Sequence, residues 1–591
     1  MNKPSRNDDW TVHDGWNQDP PHLSSDLTTR NDLNGIANSR SYRSHRLQDA
    51  QDGLLELESI PNNVSNAEPE PNRIKPTFAS AMKQRHSSAA SDTIARPHND
   101  NDNSDASSIS SASIASKSKN VLTRTGGILA KYARFIGPGA MVSVAYIDPG
   151  NYATDVAAGA SYRFKLLFIV LLSNIFAIYL QSLCIKLGSV TGMNLAQMIK
   201  AHTPKWLNIT LYIFAEAAIV ATDIAEVIGT AIALNLLFKL PLVAGCAISI
   251  VDVLVILIFY RPTGTVRGLR AFELFVMALV FGVVVCFCFQ LSLIRNTAVG
   301  EVFRGYLPSS AIVQSKGLYQ SCGILGATVM PHSLYLGSGM VQPRLLEFDQ
   351  KHNPDFDPET TLSETFSKYR PSLKAIKACM SYSIVELAIS LFTFALFVNS
   401  AILIIAGAAL SDTPSAASAD LFSIHALLSD QLAKAAGVVF ALALLLSGTS
   451  AGIVCTIAGQ MVSEGQLSWS VSPWIRRLIT RSISITPSII IAGAVGAEGL
   501  STALEASQVA LSVILPFVSA PLIYFTCRAK YMGVAVESGS DSTGNGEATR
   551  NTDVVQMRNH WVTTGFAVLI WGIIVIMNVA ALVLLGLGAG D

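Results

Sequence analysis

The sequence predicts an all-α polytopic membrane protein with 11 transmembrane helices, the first and sixth of them discontinuous. Three observations carry that expectation. Half of the 591 residues are hydrophobic and only 14% are charged, far from the composition of a soluble enzyme. Apolar segments long enough to cross a bilayer recur from residue 133 to residue 588. Two of these segments carry a proline flanked by chemically active side chains, in Asp148-Pro149-Gly150-Asn151 and in Met330-Pro331-His332.

The spans are read near 133–160, 164–187, 207–237, 241–260, 272–294, 319–342, 376–408, 434–459, 478–498, 504–527 and 562–588. Each approaches or exceeds the roughly 20 residues that a hydrocarbon core requires. Ahead of them, residues 1–125 are rich in Ser, Asn, Asp and Arg and poor in apolar side chains. They are expected to form a disordered cytosolic tail, not a signal peptide, because no apolar run follows a basic start. The membrane domain is then 130–590. Lys and Arg gather in alternate loops: Lys186, Lys200 and Lys205 after span two, Arg261, Arg267 and Arg270 after span four, and six between Arg344 and Lys377 after span six. This bias puts the N-terminus in the cytosol and, with 11 spans, Asp591 on the opposite side. The polar stretches 343–375 and 531–558 are expected to be cytosolic loops, the second flexible. Net charge is zero, and no nucleic-acid partner is expected. The eight cysteines lie in or beside apolar runs without framework spacing, so neither disulfides nor a cysteine metal site is expected.

A charge at the centre of a bilayer costs roughly 2.5–3.5 kcal/mol on insertion scales, and a Pro-Gly pair breaks a helix. Interrupted spans at matching positions of two five-helix repeats would mark a transporter site at the midplane. The breaks free backbone carbonyls, which together with Asp148 and Asn151 can coordinate a cation. A proline kink with a satisfied polar pair is the plainer alternative, and the second break argues against it. Met330 adds a soft thioether. It disfavours Ca2+ and Mg2+, and the whole set suits Mn2+, Fe2+ or Co2+; a lone membrane methionine otherwise fills gaps. His332 is the one histidine of the ten set deep in a span. It is either a proton acceptor near neutral pH or a hydrogen-bonded structural residue.

Span three carries Glu216, Asp223 and Glu226, seven and three residues apart, which places them within an arc of about 80° on one side of a helix. Arg481, at the start of span nine, is the nearest candidate counter-charge. A carboxylate–arginine chain across a bundle reads as a proton relay or gate, or as a buried ion pair holding the two repeats together.

The quoted breaks, together with "GATVMPHSLYLGSGMVQPR", "AGQMVSEG", "LITRSISITP" and "SQVALSVILPF", resemble the natural resistance-associated macrophage protein (Nramp) family of divalent metal transporters. The resemblance extends over about 130–590, and the span count and polar tail are similar to the fungal branch. It implies a leucine-transporter-type inverted repeat, helices 1–5 against 6–10, and proton-coupled uptake of Mn2+, Fe2+ or a related metal into the cytosol by alternating access. It implies metal ligation by Asp148, Asn151, Met330 and the Ala327 carbonyl, joined by Gln508 in an occluded state. It assigns proton handling to Asp148 and His332 and proton exit to Glu216, Asp223, Glu226 and Arg481. The sequence departs from many relatives at Ser333, where they have Asn, and at Gly337, where they have a second His. No cofactor beyond the substrate metal and protons is expected, and the chain is expected to be monomeric, with its tail open to regulation or ubiquitination. The membrane is the plasma membrane or an endosomal or vacuolar one. The competing functions are a same-fold carrier of Mg2+ or an amino acid, and a non-transporting metal sensor. Asp148 argues against an amino acid, which brings its own carboxylate, and Met330 against Mg2+. No hydrolase, redox or nucleotide-binding motif is present, so the chain is not read as an enzyme.

Overall fold

The computed structural model describes residues 137–249, 266–295, 297–352, 369–411, 421–467, 473–537 and 552–587. The 1–125 tail and the second half of the expected fourth span lie outside the described residues. The first span is two helices, α1 (Pro138–Val144) and α2 (Pro149–Tyr162), separated by an unwound link. Next come α3 (Leu167–Thr191), the short α4 (Leu195–His202), α5 (Lys205–Phe238), α6 (Val266–Ser292) and α7 (Val299–Arg304). The sixth span is likewise two helices, α8 (Ser315–Thr328) and α9 (Pro331–Met340). The rest are α10 (Gln342–His352), α11 (Leu373–Ser390), α12 (Leu396–Ala409), α13 (Leu421–Gln431), α14 (Lys434–Leu467), α15 (Pro473–Ala494), α16 (Ala497–Cys527) and α17 (Trp561–Gly586).

Among the described residues, 7 helices are long and apolar enough to cross a membrane: α3, α5, α6 from Arg270, the continuous α11–α12 pair, α14, α16 and α17. The two broken helices fall short because each half is only 7–14 residues. A π-helical turn, Leu391–Ala395, joins α11 to α12, an irregularity that often accompanies functional sites.

Two expected loops contain regular structure. The 343–375 stretch begins within α10. In the 531–558 stretch, expected to be flexible, the two ends pair as antiparallel strands β1 (Gly533–Glu537) and β2 (Thr552–Gln556), with Val534 opposite Val555 and Val536 opposite Asp553, while 538–551 lie outside the described residues. Valine-rich segments of five residues suffice for a hairpin ladder, and the polar residues between them masked that signal. Helix α5 packs extensively on α14 and α16, and α2 on α12 and α8, so the two breaks are enclosed by α5, α12, α14 and α16. At the start of α1, Glu386 Oε1 of α11 accepts from the backbone N–H groups of Gly137, Gly139 and Ala140 at 2.9, 3.2 and 3.4 Å. A carboxylate at that helix start meets free donors and the positive end of the dipole.

Candidate metal centre

The two breaks have the same construction. Asp148 and Met330 are the N-caps of α2 and α9, both in extended backbone, and each is followed by a proline in the first turn. Proline lacks an N–H and fits this position, where no intrahelical donor is needed. The Asp148 carboxylate caps its own helix, accepting from the N–H groups of Gly150 and Asn151 at 3.1 Å each. The carbonyls released by the first break find side-chain donors. Tyr146 O accepts from Asn151 Nδ2 and from Asn399 Nδ2, both at 3.2 Å, and Ile147 O accepts from Ser447 Oγ at 2.9 Å.

Three oxygens surround one point. Asn151 Nδ2 lies 2.6 Å from Asp148 Oδ1, 3.1 Å from the Ala327 carbonyl and 3.2 Å from the Tyr146 carbonyl. The donor hydrogens of an amide thus sit where a cation would find the same oxygens. Asn151 Oδ1 accepts from Asn399 Nδ2 at 3.3 Å, and Asn399 Oδ1 is buried without a partner among the described residues. Turning both amides over keeps their mutual bond and points the Asn151 oxygen inward, at the cost of the Asn399 bond to the Tyr146 carbonyl. Gln508, on α16, presses against both broken spans. A Cβ on Gly150 would lie 2.3 Å from Gln508 Cδ, and one on Gly326 would lie 2.2 Å from the Gln508 carbonyl. The Gln508 Nε2 donates to Ser507 Oγ at 2.9 Å, while its Oε1 is buried with no partner among the described residues. A buried, unmatched amide oxygen beside the break is a ready neutral donor. Met330 is fully buried at the second N-cap.

Sequence reasoning did not single out several residues that hold the two breaks together. Tyr146 Oη and Ser333 Oγ are 2.9 Å apart, and Gln181 Nε2 of α3 reaches Tyr146 Oη at 2.8 Å and both Ser333 oxygens at 2.9 Å. Asp155, one turn beyond Asn151, is wholly buried and neither carboxylate oxygen has a partner among the described residues. The available signal was an amide or acid alone in an apolar run, which is costly unless satisfied.

Helix α5 connects this centre to the expected charged cluster. Arg481 Nη1 lies 2.5 Å from Asp223 Oδ1 and 3.1 Å from Glu226 Oε2, with all three side chains almost fully buried. Ser484 Oγ donates to Asp223 Oδ2 at 3.2 Å. Asp223, Glu226 and Cys455 have the spacing of metal ligands, but the Arg481 guanidinium already supplies the positive charge there. Glu216 is half-buried on the same helix, about two turns before Asp223, and Arg481 forms its ion pairs with the other two acids. Thr222 Oγ1, beside Asp223, lies 3.3 Å from His332 Nδ1, and a Cβ on Gly229 would strike Pro149 at 2.3 Å. One helix therefore carries the acids and touches both breaks.

The comparisons with known proteins agree with this architecture. The Nramp family model, described as Natural resistance-associated macrophage protein-like, matches residues 139–544. The chain is 51% identical over 502 residues to the manganese transporter SMF1 of Saccharomyces cerevisiae, covering 78% of this chain and 87% of that protein. It is 50% identical over 474 residues to the iron transporter SMF3 of the same yeast, covering 78% of this chain and 98% of that protein. Among solved structures, an Eremococcus coleocola manganese transporter superposes with a TM-score of 0.61 at 31% identity, covering 75% of this chain and 84% of that one. Members of the family are transporters rather than enzymes. The chain belongs to the Nramp family.

Proposed function

We propose that the protein is a proton-coupled carrier of Mn2+, Fe2+ and related divalent metals, moving them into the cytosol by alternating access. The support is the convergence of Asp148 Oδ1 and the Ala327 carbonyl around the Asn151 amide, between two proline-capped breaks. On this reading the arriving metal displaces the Asn151 amide hydrogens. It takes Asp148 as the charged ligand, Asn151, the Ala327 carbonyl and Gln508 as neutral oxygens, and Met330 as the soft one. The thioether sets transition metals apart from Ca2+ and Mg2+. The metal and a proton compete for the same Asp148 carboxylate. The released proton leaves along α5, past His332 and Thr222, to the Asp223–Arg481–Glu226 group, with Glu216 beyond it. Motion of α16 brings Gln508 onto the metal and closes the site.

The N-terminus and the basic loops face the cytosol and the C-terminus faces the opposite compartment. The membrane is the plasma membrane or an endosomal or vacuolar one, and the monomer is the working unit, with the 1–125 tail serving regulation. The relatives' activities, manganese and iron transport, favour this over a Mg2+ or amino-acid carrier or a sensor. The test is uptake by full-length protein in liposomes, against a metal panel and an imposed pH gradient. Wild type takes up Mn2+ and acidifies the lumen. Asp148→Asn, which keeps the shape and removes the charge, abolishes uptake while still reconstituting. Near-normal Mn2+ uptake by that variant would overturn the assignment.

A further inference from the structure

Away from the metal centre, an apolar groove of about 700 Å3 runs between the start of α5, the second half of α16 and α17. Its walls include Leu207 and Leu211 of α5, Val513 and Phe517 of α16, and Trp571 and Leu582 of α17. From Val513 to Phe525 the α16 wall spans 13 residues, about 18 Å of helix, close to the half-thickness of a hydrocarbon core. Trp571 Nε1 donates to the Pro516 carbonyl at 2.9 Å, so one long wall is tied to the other.

One end of the groove reaches His202, Thr203 and Pro204, after α4. His202 also lines a second cavity, of about 350 Å3, together with Arg370, Lys530 and Tyr531. The two cavities therefore meet at one imidazole. The second is basic. No carboxylate is among its described lining residues, and neither Arg370 nor Lys530 is in an ion pair among the described residues. The neighbouring Asp349 is engaged by Tyr369 Oη at 2.7 Å and by Ser372. Arg370 is anchored by donating to the Thr191 carbonyl, and Lys530 lies over the Tyr531 ring at 5.6 Å. His202 itself has its pKa lowered, by burial and then by the positive fields of Lys530 and Arg370.

We propose that the protein binds an anionic glycerophospholipid here, with one acyl chain along the α5–α16–α17 groove and its phosphate headgroup between Arg370 and Lys530 at His202. An apolar slot one leaflet long, ending in an unpaired cationic cavity on the side of the basic loops, has the dimensions and charge of that molecule. Basic pockets between membrane helices on the cytoplasmic side are suited to anionic headgroups. A zwitterionic lipid has one phosphate for the two cations and brings a quaternary ammonium against them, and a free phosphate would leave the groove unfilled.

The test uses full-length protein in nanodiscs, with retained lipid read by native mass spectrometry after release. Wild type retains phosphatidylserine in preference to phosphatidylcholine at equal supply. Arg370→Gln with Lys530→Gln lowers that preference by roughly 30-fold, taking each cation near a membrane surface as worth about fivefold. Arg370→Lys retains it, which guards against a mere folding defect. Ala520→Trp, filling the groove, removes the phosphatidylserine adduct while the protein stays monodisperse. Equal retention of both lipids by wild type would overturn the proposal. So would a phosphatidylserine adduct that survives Ala520→Trp and is displaced by inorganic phosphate, since that describes a site for free anions.

Discussion

Gly150→Ala tests the placement of Gln508. The added Cβ would stand 2.3 Å from Gln508 Cδ and Nε2 and 2.5 Å from its Oε1. Carbon atoms in contact sit about 3.5–4.0 Å apart, so the carboxamide must withdraw by at least about 1.2 Å. Metal–oxygen distances tolerate only about 0.2 Å, so a withdrawal of that size removes Gln508 from any coordination sphere. The obstructing atoms are the end of a flexible side chain, not backbone, so the fold should persist at a cost of about 1–3 kcal/mol. Gly150 is not in a positive-φ conformation, so alanine adds crowding without backbone strain. The assay is a double-mutant cycle on Mn2+ uptake and on melting temperature in detergent, with Gly150→Ala, Gln508→Ala and both. The expectation is that each single variant raises KM for Mn2+ by a similar factor and that the pair is no worse than either. In stability the pair should recover most of the Gly150→Ala loss, a coupling of about 0.5–3 kcal/mol. Strictly additive losses in KM would refute the idea that alanine acts by evicting Gln508.

Three further outcomes are expected. Met330→Ala should reduce Mn2+ uptake less than Cd2+ uptake and should weaken discrimination against Ca2+, because only hard oxygens remain; unchanged Ca2+ competition would exclude the thioether as the selectivity element. Glu226→Gln and Arg481→Ala should diminish proton entry more than metal affinity, measured as luminal acidification and metal uptake in the same liposomes. Equal losses of both would make the cluster a clamp between helices. Asn399→Ala should raise KM for Mn2+ by several-fold without changing the metal preference order, since Asn399 orients the Asn151 amide and is not itself a ligand; a changed order would place it on the metal.

The sequence reading reached the breaks because proline chemistry is local. Asp148-Pro149 and Met330-Pro331 each announce an N-cap and a first-turn proline with no tertiary information. It reached Asp223, Glu226 and Arg481 for a different reason: charges this deep in apolar runs need each other, although 258 and 255 residues separate Arg481 from its two partners. It passed over Gln181, Asn399 and Thr222, and noted Ser333 only as a departure from relatives, because a single amide or hydroxyl in a span can bond its own helix, and only packing reveals a cross-helix partner. Glu386 was missed likewise, since its partners are backbone N–H groups at the start of α1. The hairpin was hidden because its strands are five residues each, shorter than the polar segment between them.

Gly337 faces the Gln181 amide at close range. A Cβ there would stand 1.9 Å from Gln181 Oε1 and 3.4 Å from Cys184 Cβ, and Gln181 is held by three acceptors on Tyr146 and Ser333. No side chain, imidazole included, can enter position 337 while that amide stays. Any side chain at 337 therefore requires the Gln181 amide to leave its place and give up its bonds to Tyr146 and Ser333. Gly337→His alone should yield misfolded protein, and Gln181→Ala should act as the permissive change that rescues its expression. A well-folded Gly337→His single variant would remove that constraint.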